Sequence, residues 1–301
     1  MTTGAREDDA LTRAARLAFA APEEAGDDDG EGELALRTFG DYELVEVLGA
    51  GGMGVVYRAR HRLLERDVAL KIIAEDARND DSGALFLDEA RNAARLNHPN
   101  IVPVYDVGTH GGLHFFSMQL VDGEHLGRRI ARRALSEREA IALLLPVCDA
   151  LDYAHRLGVL HLDLKPANIL VDSRGAPLVA DFGLARRVGA DGTARARDVS
   201  GTPAYMAPEQ LQAESGRLTV ATDVYSLGAV LYEMLAGVSP HGRGDAAELA
   251  ARALAGKIAP VGRHRPGVSR DLEAVCRHCL AHEPRQRYAS VAALAEDRKS
   301  T

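Results

Sequence analysis

The sequence predicts an α+β chain in two lobes, a small antiparallel β lobe carrying one helix and then a larger, mainly helical lobe. Two observations carry this. Between Tyr42 and Ile73 short apolar runs alternate with glycine-rich breaks, the pattern of strands joined by tight turns. Residues 143–156 and 223–236 are long apolar-patterned stretches that read as buried helices. With 301 residues, 46% of them apolar, the chain has room for one large domain or two lobes around a sizeable core. The boundaries expected are a tail over 1–38, the β lobe over 39–121, the helical lobe over 122–297, and a short tail over 298–301.

Residues 1–38 are rich in Asp, Glu, Gly and Ala, and the acidic run at 23–30 reads as a solvated, disordered linker, although 11–19 has the pattern of a short amphipathic helix. A strand is expected over 42–48. It leads into Gly49-Ala50-Gly51-Gly52-Met53-Gly54-Val55-Val56-Tyr57, a G-x-G-x-x-G. In a dinucleotide-binding unit the third glycine opens a helix. Here Val55-Val56-Tyr57 continues as a strand, so the glycines sit in a hairpin whose backbone N–H groups can approach phosphates without side-chain obstruction. Residues 68–73 form a further strand with Lys71 inside its apolar pattern, a costly place for a charge without a partner. The partner should come from the helix expected over 83–97, where Phe86, Ala90, Ala93 and Leu96 mark the apolar stripe and Glu89 lies at its edge.

The densest stretch runs from His161 to Gly183. It holds Asp163, Lys165, Asn168 and Asp181, and between them 169–171 and 178–180 read as two strands flanking a turn at 172–175. Such a hairpin brings Asn168 and Asp181 together with Asp163 close by. Hard oxygen ligands of this kind suit Mg²⁺, which takes one or two carboxylates plus substrate phosphates. Either aspartate alone reads as an ordinary turn residue. The lysine pattern favours a site: among 36 basic residues only Lys71, Lys165, Lys257 and Lys299 are lysines. A chain so biased towards arginine has a reason to place the compact ammonium at 71 and 165.

Composition excludes several classes. A net charge of −8 argues against a nucleic-acid partner. Three cysteines are too few for a disulfide framework, and Cys276-Arg277-His278-Cys279 lacks a second pair for a zinc site and looks helical. No apolar run approaches the roughly 20 residues of a membrane span, and the acidic start resembles no signal peptide. A cytoplasmic chain is expected, or the cytoplasmic part of a longer membrane protein.

In order, GAGGMG, VALK, Glu89, HLDLKPAN, DFG and GTPAYMAPE (201–209) resemble the motifs of eukaryotic-type protein kinases, most closely the bacterial Ser/Thr kinases, over about residues 40–297. The resemblance implies a bilobal kinase fold, ATP and Mg²⁺ (or Mn²⁺) as cofactors, and phosphoryl transfer to Ser/Thr hydroxyls of proteins, with autophosphorylation, in bacterial signalling. It implies that Gly49, Gly51 and Gly54 cover the ATP phosphates, with Leu48, Ala50, Gly52 and Met53 completing the stretch. Lys71 would hold the α- and β-phosphates and pair with Glu89. Asp163 would accept the substrate proton, Lys165 steady the γ-phosphate, and Asn168 and Asp181 hold the metal. Val56, Ala69 and Leu170 match the adenine sandwich, Met118 the back of that pocket, and Gln119 to Val121 the segment that binds the adenine edge. Asp223 resembles the aspartate that braces the catalytic loop, and Arg287 the arginine that pairs with Glu209. Lys165 together with Thr202, which would contact Asp163 and Lys165, implies Ser/Thr specificity.

Two departures stand out. Gln119-Leu120 replaces an acidic and an aromatic residue, which backbone contacts tolerate. Leu162 stands where the family usually has arginine, the residue that clamps an activation-loop phosphate. Leucine cannot, and the loop 184–200 offers only Thr193 and Ser200, so activation is expected not to depend on loop phosphorylation read at 162. A pseudokinase that binds nucleotide without turnover and a small-molecule kinase are the alternatives, and a homodimer is compatible with all three.

Overall fold

The computed structural model describes residues 37–51, 54–73, 93–182, 186–187, 194–195, 202–212 and 217–299. Backbone contacts divide these into two units, one comprising the residues up to Ala94 with Pro103–Val121, the other Arg95–Val102 with everything from Asp122 onward.

The first unit is built on a six-stranded antiparallel sheet. Its strands are β1 (Arg37–Phe39), β2 (Tyr42–Gly51), β3 (Gly54–His61), β4 (Arg66–Ile73), β5 (Val104–His110) and β6 (Leu113–Gln119), in the order β1-β2-β3-β4-β6-β5. β1 begins inside the stretch expected to be tail, where Arg37 pairs with Leu44 and Phe39 with Tyr42. Side-chain alternation sorts the sheet into two faces. One carries the core: Tyr42, Val55, Tyr57, Val68, Leu70, Ile72 and Phe115, with Phe39 edge-on to Phe115. Each such side chain contributes about 1.5–3 kcal/mol on burial. The buried Tyr42 hydroxyl is hydrogen-bonded to Ser117 Oγ (2.9 Å) and Asp106 Oδ2 (3.1 Å), so the core contains no unsatisfied phenol there. The opposite face carries Val56, Ala69, Lys71, Phe116 and Met118, as the register Val56–Lys71–Phe116 and Ala69–Met118 requires.

The segment 95–102 belongs to the second unit, not to the β lobe in which its sequence position placed it. Val102 N–H donates to Val179 O (2.9 Å), Val179 N–H to Asn100 O (2.8 Å), and Asn100 Nδ2 to Pro177 O (2.8 Å). Those bonds tie it to the hairpin of β9 (Ile169–Asp172) and β10 (Pro177–Val179), whose turn is held by Asp172 Oδ1 accepting from the Arg174 and Ala176 amides. β7 (Gly123–His125) pairs with β9, and β8 (Val159–Leu160), β11 (Arg186–Arg187), β12 (Ala194–Arg195) and β13 (Arg217–Leu218) form two small pairs, β11 with β8 and β12 with β13.

Seven α-helices lie among the described residues of this unit: α1 (Leu126–Arg132), α2 (Glu137–Arg156), α3 (Pro208–Leu211), α4 (Val220–Ala236), α5 (Ala246–Ala255), α6 (Arg270–Cys279) and α7 (Val291–Lys299). α2 starts six residues ahead of its apolar run because Ser136 and Glu139 form a reciprocal cap: Glu139 N–H donates to Ser136 Oγ (3.2 Å) and Ser136 N–H to Glu139 Oε2 (2.8 Å). α4 is buried on every side from Thr222 to Tyr232 and packs against α6 and α2. At Gly228 a Cβ would lie 2.3 Å from the Cys279 Cβ, so only glycine lets α6 approach this closely. Cys276 and Cys279 are buried positions of α6. No helix among the described residues is long and apolar enough to cross a membrane.

Candidate active site

In the second unit the loop after β8 is fixed from beneath by one carboxylate. Asp223, on α4, is 0% exposed and takes three donors. The His161 N–H reaches Oδ2 at 2.8 Å, the Leu162 N–H reaches Oδ1 at 2.9 Å, and His155 Nε2, at the end of α2, lies 2.7 Å from Oδ2. Burial pushes this carboxyl up, but the hydrogen bond and charge of His155, then His161, outweigh it and hold it below the usual aspartate range. From above, Gln210 on α3 donates its Nε2 to Leu162 O (2.7 Å), while its Oε1 accepts from the Ala207 N–H. Both backbone groups of Leu162 are thereby fastened, and they hold it at φ +64°. That left-handed conformation costs a leucine about 1–2 kcal/mol, so it persists only because its surroundings impose it.

His161 is completely buried and links the loop to the hairpin. Its Nδ1 accepts from the Asp163 N–H (3.2 Å), which leaves the proton on Nε2 to donate to Ala180 O (3.2 Å). Both ring nitrogens are thereby satisfied.

Asp163 follows. Its Oδ2 accepts from Lys165 Nζ at 2.7 Å and from Asn168 Nδ2 at 3.1 Å. Both bonds fall on the one oxygen, and among the described residues none falls on Oδ1. Asn168 also donates to the Asp163 carbonyl (2.8 Å), so its amide nitrogen is committed and its oxygen is the remaining ligand atom. The Ala180 N–H donates to Asn168 O at 2.8 Å, which brings Asp181, itself at φ +60°, next to Asn168. An amide oxygen and a carboxylate are the kind of hard donors a Mg²⁺ or Mn²⁺ ion takes. Thr202 is half-buried, and no hydrogen bond among the described residues joins it to Asp163 or Lys165.

In the first unit the glycine stretch is a hairpin. Gly51 pairs with Gly54, and β3 continues from Gly54 as a strand. A Cβ at Gly54, φ +140°, would lie 2.1 Å from Ile72 O, whereas at Gly49 it would meet nothing within 4 Å. Packing therefore demands the first glycine but not the second. Leu48 and Ala50 are exposed on β2. Lys71 is only 7% exposed, with Nζ 5.7 Å from the Phe116 ring centroid. It shares its sheet face with Val56, Ala69 and Met118. Gln119 ends β6, its N–H on Pro103 O (3.1 Å), and Val121 follows; Leu170 is half-buried on β9 of the second unit. Gly52, Met53, Glu89, Gly183, Thr193 and Ser200 lie outside the described residues.

Away from the loop, Arg287 grips Glu209 bidentately, NH1 to Oε1 at 2.7 Å and NH2 to Oε2 at 2.8 Å. Its other donors reach the Ala281, Ala221 and His282 carbonyls, and Thr222 Oγ1 adds a bond to Glu209. A buried charge pair this well satisfied is structural.

Residues 42–297 match the family described as protein kinase domain. The chain belongs to the protein kinase family. Among similar proteins are the serine/threonine-protein kinase PknB of Mycobacterium leprae, 40% identical over 265 residues, which are 85% of this chain and 42% of that protein. PrkC of Bacillus subtilis is 34% identical over 89% of this chain and 41% of its own length, and PknJ of Mycobacterium bovis 39% over 87% and 45%. The chain spans less than half the length of these curated relatives. Two residues that hold the family's catalytic loop here escaped the sequence. His155 continues the apolar stripe of α2 from Cys148 and Leu151, a placement that signals a buried histidine but not its partner. Gln210 left no signal at all, since a side chain bound to a carbonyl 48 positions away has no pattern to read.

Proposed function

We propose that the chain is an ATP- and Mg²⁺-dependent serine/threonine protein kinase acting in bacterial signalling, capable of phosphorylating itself as well as other proteins, with Mn²⁺ as a substitute metal. The single observation that carries this is Asp163, a carboxylate with one oxygen fastened by Lys165 and Asn168 and the other without a hydrogen bond among the described residues, on a loop braced by Asp223. The similarity to the serine/threonine-protein kinases PknB and PrkC supports it.

On this reading the substrate hydroxyl approaches Asp163 Oδ1, which takes its proton as the hydroxyl oxygen bonds to the γ-phosphorus and the bond from that phosphorus to the bridging oxygen breaks, releasing ADP. The transition state is loose, with negative charge spread over the transferred group, so positioning and fixed positive charge carry the rate. Lys165, anchored on Asp163 Oδ2, puts an ammonium beside that charge. Lys71 and the backbone N–H groups of Gly49, Gly51 and Gly54 would meet the other phosphates, and Val56, Ala69, Met118, Leu170 and the backbone of Gln119 to Val121 the adenine. Asn168 and Asp181 would hold the metal, which when bound neutralises charge on the phosphates. Thr202 would bias the site towards Ser and Thr hydroxyls.

The test is transfer of label from ATP, with Mg²⁺, to a generic protein substrate by the full chain and by Asp163→Asn. Transfer that drops about 10²–10⁴-fold in the variant is expected from loss of the base. Equal transfer by both proteins, or none by either, overturns the proposal.

A further inference from the structure

The leucine at 162 is surrounded by leucines. Its side chain, 4% exposed, packs with Leu160 and Leu218 in a buried apolar cluster that Val220 borders. Leu160 lies on β8 and Leu218 on β13. Each of these strands pairs with a strand from the stretch between Phe182 and Thr202: Arg186 opposite Leu160, and Ala194 opposite Leu218. The cluster therefore joins the two strands to which that stretch is hydrogen-bonded at its described positions. At the same time Leu162 immediately precedes Asp163, in a left-handed conformation imposed through Asp223 and Gln210.

We infer that Leu162 is a positioning residue: with Leu160 and Leu218 it forms an apolar clamp that fastens β11 and β12, through their partners β8 and β13, to the loop carrying Asp163 and holds Asp163 in its working orientation. An arginine here would do this through a phosphate, an ion pair that exists only after modification and weakens with salt. A leucine cluster works by excluding water and needs no modification. Phosphorylation of Thr193 or Ser200 is therefore not required for transfer. This rests on the kinase reading above and specifies how that site is regulated.

The experiment uses the full chain, treated with a protein phosphatase and shown phosphate-free by mass spectrometry, and four variants, Leu162→Ala, Leu218→Ala, the double alanine variant and Leu162→Met. kcat and the KM for ATP are measured together with hydrogen exchange of the amides at 194–195 and 217–218. The phosphate-free protein keeps its kcat within about twofold. Each alanine variant loses about tenfold or more in kcat, the scale of a displaced catalytic group, with KM for ATP nearly unchanged. The double alanine variant is no worse than the poorer single one, because both remove the same clamp. Leu162→Met, which refills the volume, restores kcat to within a few-fold. Exchange at the two strand pairs speeds up about tenfold in both alanine variants. Loss of kcat on dephosphorylation that phosphomimics at 193 and 200 restore overturns the inference, as do alanine variants with full kcat or unaltered exchange. Should the unmodified chain transfer no label, the kinase reading falls, while the exchange rates still decide the clamp. If Leu162→Ala does not fold, Leu218→Ala at the edge strand carries the same test.

Discussion

Two aspartates of the second unit, Asp163 and Asp223, lie on either side of the same loop and are treated in opposite ways. Asp223 engages both oxygens with three donors and is wholly shut from water. Asp163 takes its two side-chain donors on Oδ2 and keeps its side chain partly open. A carboxylate whose oxygens are both satisfied fixes geometry and has nothing left to react with. One that is fastened by a single oxygen is held still and can still accept a proton. The contrast separates support from chemistry without reference to either residue's position in the sequence.

Substitutions sharpen that contrast, and the largest expected effect is on rate. Asp163→Asn loses the 10²–10⁴-fold in transfer already stated, while its melting temperature stays within a few degrees of the unmodified chain, since the side chain it alters carries no buried scaffold. Asp223→Ala should do the reverse first. It strands the His161 and Leu162 amides and the His155 ring inside the protein, a loss of about 3–5 kcal/mol in denaturant unfolding. A variant at 223 that unfolds like the parent protein would break the distinction between the two aspartates.

A smaller effect comes from a buried histidine elsewhere in the unit. His241 is hydrogen-bonded to Tyr225 Oη (2.9 Å), and burial, then the nearby Arg252, lower its pKa to about 4. Unfolded, the same ring titrates near 6.5, so the unfolded chain binds the proton more tightly. Stability is therefore complete above about pH 6.5 and declines as pH falls towards 4, by up to about 1.4 kcal/mol per pH unit and roughly 3 kcal/mol in all. His241→Phe should flatten that limb of the stability–pH curve. The smallest effect is at the start of α2, where Ser136→Ala removes a reciprocal cap and should cost about 1 kcal/mol with no change in KM.

The candidate site residues of the second unit were legible because they are close in sequence. Asp163, Lys165, Asn168 and Asp181 fall within 19 positions, and the turn chemistry of 172–175 predicts the hairpin that brings the last two together. The strand character of Val55-Val56-Tyr57 likewise distinguished a glycine hairpin from a helix-opening fingerprint. What the sequence placed poorly depends on long-range pairing. Segment 95–102 joined the second unit through bonds to 177–179, and β1 extended into apparent tail by pairing with β2. His155 and Gln210 act across 68 and 48 positions on a carboxylate and a carbonyl, contacts without periodicity.

By itself the sequence determined the inventory: a lysine kept at 71 and 165 against an arginine habit, an amide and a carboxylate at the mouth of a hairpin, and an uncharged residue at 162. Local chemistry and spacing are enough for that, because charge, turn preference and strand alternation act over a few residues. Only the tertiary structure decided that Lys165 and Asn168 both bond Asp163 through Oδ2, that Leu162 is forced left-handed, and that its side chain finds Leu160 and Leu218. Those outcomes depend on which distant groups share a buried space, and burial is settled only when the whole unit closes around α4.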